Sequence, residues 1–461
     1  MLRTRVTITA LLGAGIGITM ALGTMASAQT AQPSPGAQTP PPANTQPPAT
    51  NIPTGTPEGV ARMQNRNSTG FPAPQTVEGK PIETRPPELA DDHPVFAGET
   101  RAPYHATAPY NVATITDQLK APWSLAFLPD GKMLVTEKGG NLRIVDAQGA
   151  ISPPLAGVPA VVAQGQVGLL DVALDPNFAS NKRIFFSYSE AVQDPNSSLP
   201  KSNIAIAHAR LDEAAGALTD ITVIFRAKPS LPRTVAANQG GRIAIGRDGT
   251  LFATIGDRSS SPPWDMAQRL DTDLGKIIHI TPDGAPAKDN PFLNKAGALP
   301  EIWSIGHRSE EGLAIDPATG QLWETENGPR GGDKLIKVQA GKDYGWPIYV
   351  HGIDYPGETI GEGIVESKGT EQPVYYWDPV IAPSGLAFYR GNLFPQWKNS
   401  VFVGALRGQM LDRLTLAGDK VTAEEPLLVD LHSRIRDVRI GPEGAVYVLT
   451  DDTKLLKLTP R

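Results

Sequence analysis

The chain has 461 residues, 40% of them hydrophobic, and 48 acidic side chains outnumber 42 basic ones for a formal net charge of −6. The length allows two to four ordinary domains or one large one with tails, and the acidic balance excludes a global electrostatic footprint for nucleic acid or anionic lipid. Cysteine is absent, which excludes disulfides, Cys-ligated zinc, iron–sulfur clusters and thiol catalysis.

Arg3 and Arg5 open the chain, an apolar run from Val6 to Leu22 follows, and Ala26-Ser27-Ala28 closes it. This pattern predicts a secretory signal peptide over residues 1–28, cleaved after Ala28, delivery to the periplasm and no stable membrane insertion afterwards. Gly13, Gly15, Gly17 and Gly23 weaken the alternative of a permanent span. Residues 29–108 read as a Pro-rich linker and extended tail. Up to Glu58 this stretch has no aromatic residue and too little to bury, which predicts disorder. From residue 60 onward isolated apolar residues such as Phe71 and Phe96 predict loose chain placed to dock on a neighbouring domain.

From about Asn111 short β-branched and aromatic runs alternate with Gly, Asp and Pro turns, the signal for strands and hairpins. One unit recurs: a small apolar run, a turn, a second apolar run. Its copies start at Leu125, Val172, Ile243, Leu313, Leu386 and Val438. The spacing suits propeller blades of about 40–50 residues, three of them lengthened by insertions. Each unit leaves a sheet face bare unless neighbours cover it, so the set predicts an all-β fold: a six-bladed β-propeller over residues 109–461, preceded by the disordered Pro-rich extension. Closure is expected between Val112–Ile115 and Lys454–Leu458, with a site in the inserted loops of the second to fourth copies.

Several loops carry candidate chemistry. Gln166 lies in a Gly-rich turn before the second copy. Asn238 precedes, and Asp257 follows, the strand pair Ile243–Thr254, so a hairpin brings them together. Arg308, Arg407, Arg434 and Arg436 fall at blade junctions. Such a cluster repels itself unless an anion neutralises it, and Arg suits bidentate contact with carboxylate or phosphate. The alternative is local pairing of each Arg, with Asp437 for example. Gly328-Pro329 exposes backbone carbonyls near Asp333, the oxygen donors that hard Ca²⁺ prefers. No histidine spacing fits zinc, and there is no GxSxG elbow, Walker loop or GxGxxG fingerprint.

Eight segments stand in one order: GQVGLLDVALDPNF (165–178), GGRIAIGRDGTLFATIGDR (240–258), DLGKIIHITPDG (273–284), IGHR (305–308), NGPRGGD (327–333), DYGWP (343–347), APSGLAFY (382–389) and RIRDV (434–438). Together they resemble the soluble periplasmic sugar dehydrogenases that use pyrroloquinoline quinone (PQQ), a group that includes glucose, aldose sugar and sorbosone dehydrogenase-like proteins. The resemblance implies a tricarboxylate quinone at the channel mouth, bound by Gln166, Arg308, Arg407, Arg434 and Arg436. It implies Ca²⁺ on the carbonyls of Gly328 and Pro329 with Asp333 nearby, and oxidation of an aldose at C1 by hydride transfer to the quinone. The electron acceptor is left open.

The sequence departs from that pattern at chemically pointed places. The family base, a histidine, is here Asn238, whose amide cannot take a proton at neutral pH. Asp257 still matches the aspartate that orients the base. GHRNxQG reads with Ser309 and Glu311, and GGDE ends in Lys334. Three readings follow: Glu311 or Asp257 has become the base; the propeller binds cofactor but turns over poorly or acts on a related sugar aldehyde; or it has lost redox function and binds a sugar or a partner. A Ca²⁺-dependent lactonase is a further class. It needs a carboxylate cage, where this sequence offers arginines.

Overall fold

The computed structural model describes residues 74–259 and 264–461. The signal peptide expected over 1–28 and the Pro-rich stretch that follows it lie outside the described residues. The alternating apolar runs become strands, and the only α-helix among the described residues is one turn, Phe178–Asn181.

The strands form six antiparallel sheets. The innermost strands are Pro122–Phe127, Leu169–Leu174, Gly240–Ile245, Glu310–Ile315, Pro383–Tyr389 and Ile435–Ile440. Each recurring unit therefore begins at the fourth residue of an innermost strand. Each innermost strand packs against the next, and the sixth against the first, so the ring is closed. Closure is completed by Tyr110–Thr116, which joins the sixth sheet with Val112 opposite Leu458. This is the six-bladed propeller that the spacing predicts.

Six apolar clusters hold the ring, one in each space between neighbouring blades. Leu134, Leu169 and Phe186 join blades one and two; Trp323, Leu335, Leu386 and Val403 join four and five; Leu125, Val135 and Leu449 join six and one. A blade alone would leave these faces wet, so burial at about 25 cal/mol per Å² favours the assembled ring.

The inserted residues go to different uses. In the second blade they lengthen strands, giving Arg183–Val192, Lys201–Asp212 and Ala217–Arg226. In the fourth, residues 339–374 form loops that reach the channel mouth. The first blade has only three strands. Residues 74–108 run along the outer strands of blades four and five. Tyr376 N–H donates to Glu99 O at 2.8 Å, and Glu424 N–H donates to Pro103 O at 3.0 Å.

The channel is blocked part-way along. Buried Arg242 crosses it to Asp437 at 3.0 Å, donates to the carbonyls of Glu311 and Arg436, and lies 3.9 Å over Trp123. Arg439 sits at 3.2 Å from Asp171 and 3.3 Å from Asp437. This plug separates the mouth from a cavity at the other end, lined by the later residues of all six innermost strands, Leu125–Phe127 and Leu313–Ile315 among them.

Candidate active site at the channel mouth

Each inner hairpin pairs the start of an innermost strand with the end of the next strand: Gly240 with Ile255, Glu310 with Glu326, Pro383 with Ala405, Ile435 with Thr450. Residues just before the one and just after the other must meet. Gln166, Asn238, Arg308 and Arg434 occupy the first kind of position. Lys138, Asp257, Gly328, Arg407 and Asp451 occupy the second. Glu311 and Arg436 are the second residues of their innermost strands. The innermost strands of blades two, three, four and six thus contribute from one end of the ring, together with Lys138 and Arg407, which follow the second strands of blades one and five.

The expected meeting of Asn238 and Asp257 is present. Asn238 Nδ2 donates to Asp257 Oδ1 at 2.9 Å, and Asn238 N–H donates to Gln166 Oε1 at 2.6 Å. Asn238 has φ of 46°, a left-handed conformation that Asn tolerates better than most residues. Asp257 is fully buried. Its Oδ1 also accepts from Ser259 N–H, and Trp346 Nε1 donates to its Oδ2 at 2.8 Å. Burial pushes this carboxyl up, against the opposing pull of Arg308 and Asn238.

Arg308 faces no acid directly. Its Nη1 donates to the carbonyls of Asn327 at 2.8 Å and Gly328 at 2.9 Å, and its guanidinium lies 5.2 Å from the Trp346 ring. Among the described residues its Nε is buried with no partner, and so is Oδ1 of neighbouring Asn327. Exposed Tyr355 stands at the rim, where its hydroxyl oxygen accepts from Arg308 Nη2 at 3.4 Å. Across the mouth, Arg434 and Arg436 share Asp451 at 3.0 and 2.9 Å, and Arg436 also reaches Glu311 Oε2 at 3.1 Å. Local pairing therefore holds for these two arginines, through Asp451; Asp437 is committed to Arg242 and Arg439. Arg407 is exposed at the rim.

Burial alone would raise the Asp451 carboxyl, but Arg436, Arg434 and Lys138 hold it well below the usual carboxylate range. Burial pushes Glu311 up, opposed by Arg436 and Arg242. Lys138 Nζ donates to Gly165 O at 3.0 Å, and burial lowers its pKa. Among the described residues the buried and half-buried cations at the mouth, Lys138, Arg308, Arg434 and Arg436, outnumber its acids, Asp257, Glu311 and Asp451, by one.

Asp333, expected beside a metal, faces the backbone instead. Its oxygens accept from Gly328 N–H at 2.8 Å and Ala382 N–H at 2.6 Å, and burial raises it to about 7. It braces the loop that presents the Gly328 and Pro329 carbonyls. The Pro329 carbonyl, on a buried residue, accepts no hydrogen bond among the described residues. Lys334 points to the other face of its strand, 3.7 Å from Glu326, and donates to Tyr344 O at 3.3 Å.

Residues 119–457 match the family of glucose/sorbosone dehydrogenases. The chain belongs to the glucose/sorbosone dehydrogenase family. This sugar dehydrogenase-family chain is 44% identical to the aldose sugar dehydrogenase YliI of Escherichia coli over 360 residues, 77% of this chain and 94% of the relative. The solved apo-form of the soluble E. coli aldose sugar dehydrogenase superposes with a TM-score of 0.71 at 43% identity, covering 77% of this chain and all of that one. The PQQ-bound aldose sugar dehydrogenase of Streptomyces coelicolor gives 0.62 at 29% identity, covering 77% of this chain and 100% of that one.

Sequence reasoning missed Lys138, Asp451, Trp346 and Tyr355 in this candidate site. Lys138 and Asp451 each follow the second strand of their blade by one residue, close to where Asp257 and Arg407 stand in theirs. Superposing the six copies marks those positions. Trp346 and Tyr355 come from an insertion with no counterpart in the repeat.

Proposed function

We propose that the protein is a periplasmic PQQ-dependent dehydrogenase that oxidises an aldose, or a related sugar aldehyde, at C1. The observation that carries this reading is a mouth rich in cations in which, among the described residues, Arg308 Nε and Asn327 Oδ1 are buried without partners. Unmet polar atoms of this kind cost about 1–3 kcal/mol each unless a ligand or water meets them. A planar polycarboxylate fits: Arg434, Arg436, Lys138 and Arg407 stand on one side of the mouth and Arg308 on the other. The Pro329 carbonyl accepts no hydrogen bond among the described residues and is suited to Ca²⁺; the Gly328 carbonyl would join it by exchanging its hydrogen bond from Arg308 Nη1 for the ion. No helix among the described residues is long and apolar enough to cross a membrane.

When bound, the quinone supplies the acceptor for a hydride from sugar C1, and Ca²⁺ supplies Lewis-acid polarisation. The side chains do the rest. Asn238 cannot act as base, and Asp257 already accepts three hydrogen bonds from Asn238, Ser259 and Trp346. Glu311 keeps Oε1 without a hydrogen bond among the described residues, at a slightly exposed position, and burial raises its basicity. It takes the proton of the anomeric hydroxyl as C1 loses hydride, and the aldose leaves as a lactone. Arg436 holds Glu311 in place through Oε2, and the plug of Arg242, Asp437 and Arg439 closes the floor.

Reconstitution tests the reading. Apo-protein given PQQ and Ca²⁺ is expected to shift the quinone absorbance and then reduce a dye when an aldose is added. Quinone binding without turnover of any aldose or aldehyde would leave a binding protein, and lactone hydrolysis with Ca²⁺ alone would make it a lactonase.

A further inference from the structure

The family match begins at residue 119, so the segment 74–108 lies outside it. It is nevertheless tied to the loops of the site. Glu88 Oε2 accepts from Arg330 Nη2 at 2.6 Å, and Glu88 N–H donates to Asp378 Oδ2 at 2.9 Å. Asp92 Oδ1 lies 2.7 Å from His351 Nδ1, and Tyr376 O–H donates to Asp92 Oδ2 at 3.0 Å. Ile82 and Ala102 are buried in the apolar cluster between blades four and five.

The two residues held by these acids belong to the loops that frame the candidate cation site. Arg330 directly follows Gly328-Pro329. Its N–H donates to Ile353 O at 3.1 Å, and Ile353 N–H donates back to Arg330 O at 2.8 Å. His351 begins the turn that leads to Tyr355, which meets Arg308. Gly331 packs so closely on His351 and Asp378, and Gly332 on His351, that a Cβ at Gly331 would collide with both and one at Gly332 with His351. The carbonyl cradle and the Tyr355 rim therefore form one bridged pair of loops, and its outer side rests on Glu88 and Asp92.

We propose that segment 74–108 is a brace for the site: Glu88 and Asp92 are positioning residues that fix the loops carrying Gly328, Pro329 and Tyr355. Fixed loops present carbonyls and aromatic rim without reorganisation, so the brace favours ligand binding by lowering its ordering cost. Its effect on cofactor binding rests on the function proposed above; the bracing of the loops does not.

The test uses the full chain carrying Glu88→Ala with Asp92→Ala, and a charge-swapped chain carrying Glu88→Arg with Arg330→Glu. Hydrogen exchange on the apo-proteins is expected to speed up at Arg330, Gly332 and Ile353 in the double alanine variant, with sixth-blade amides unchanged. The charge swap is expected to recover much of the protection at Arg330 and Ile353. A titration of PQQ with Ca²⁺, followed by absorbance, is expected to weaken roughly 10-fold in the alanine variant, the scale seen when groups behind a metal ligand are lost. Unchanged exchange at these amides overturns the brace. Faster exchange with an unaltered titration overturns its positioning role. If wild-type protein binds no quinone while the exchange pattern appears, the quinone reading fails and the brace stands.

Discussion

Glu311 shows how much one side chain depends on its surroundings. In water it is an ordinary carboxylate; here burial raises its pKa and Arg436 pulls it back. The base must be ionised, so the rate is expected to fall as pH drops through a pKa above the usual Glu value, seen in a pH–rate profile of the reconstituted protein. Glu311→Gln removes the proton acceptor and is expected to lower kcat by about 10²–10⁴-fold with quinone binding retained. If turnover is unchanged, another group is the base. Asn238 supplies the converse test. Asp257 already accepts from its side chain, so Asn238→His would place an imidazole beside an orienting carboxylate. We expect that variant to turn over faster than wild type and to recover activity in the Glu311→Gln background.

At the scale of the element, the innermost strands combine irregular pairing with close approach. The register shifts near the start of all six, and such bulges let a strand turn side chains into a site. Their third residues are Ser124, Asp171, Arg242, Gly312, Gly385 and Asp437. Gly385 leaves room for Asp437, the partner of Arg242, and Gly312 leaves room for Ser384 and Thr325. A Cβ on Gly385 would strike the Asp437 carboxylate and backbone. Gly385→Ala is therefore expected to cost about 1–3 kcal/mol of stability, the usual range for overpacking, measured by denaturant unfolding. The repeat was legible in the sequence because every blade needs the same apolar run and turn. The plug was not, because Arg242 and Asp437 lie 195 residues apart and look like ordinary charges until the ring closes.

For the molecule as a whole, a buried charge network links stability to pH. His307 is fully buried with Nδ1 2.7 Å from Glu324 and 3.4 Å from Glu326. Burial lowers its pKa, but these acids outweigh burial and raise it to about 10. A raised folded pKa means that its stabilisation is complete below about 6.5, the unfolded value, and lost as pH rises toward 10. Lys276, lowered to about 7 by burial, acts in the opposite sense over the same range. The expected signature is thus a difference: between pH 6.5 and 10 the midpoint of thermal unfolding falls more steeply for wild type than for His307→Gln. Equal slopes would show that the imidazole is not charged in the folded state.

Composition, the six recurring units and the order of the loop motifs were enough to set the propeller and its closure, and to bring the candidate site residues to one end of the channel. These are local properties: an apolar run, a turn, and a hairpin that must bring its two ends together. Only the tertiary structure decided how the charges pair. Asp451 meets Arg434 and Arg436, Asp333 turns to the backbone, Lys138 joins the mouth, and the leading segment reaches Arg330 and His351. Electrostatic pairing depends on separation in space and on the water removed between groups, and neither exists along an unfolded chain.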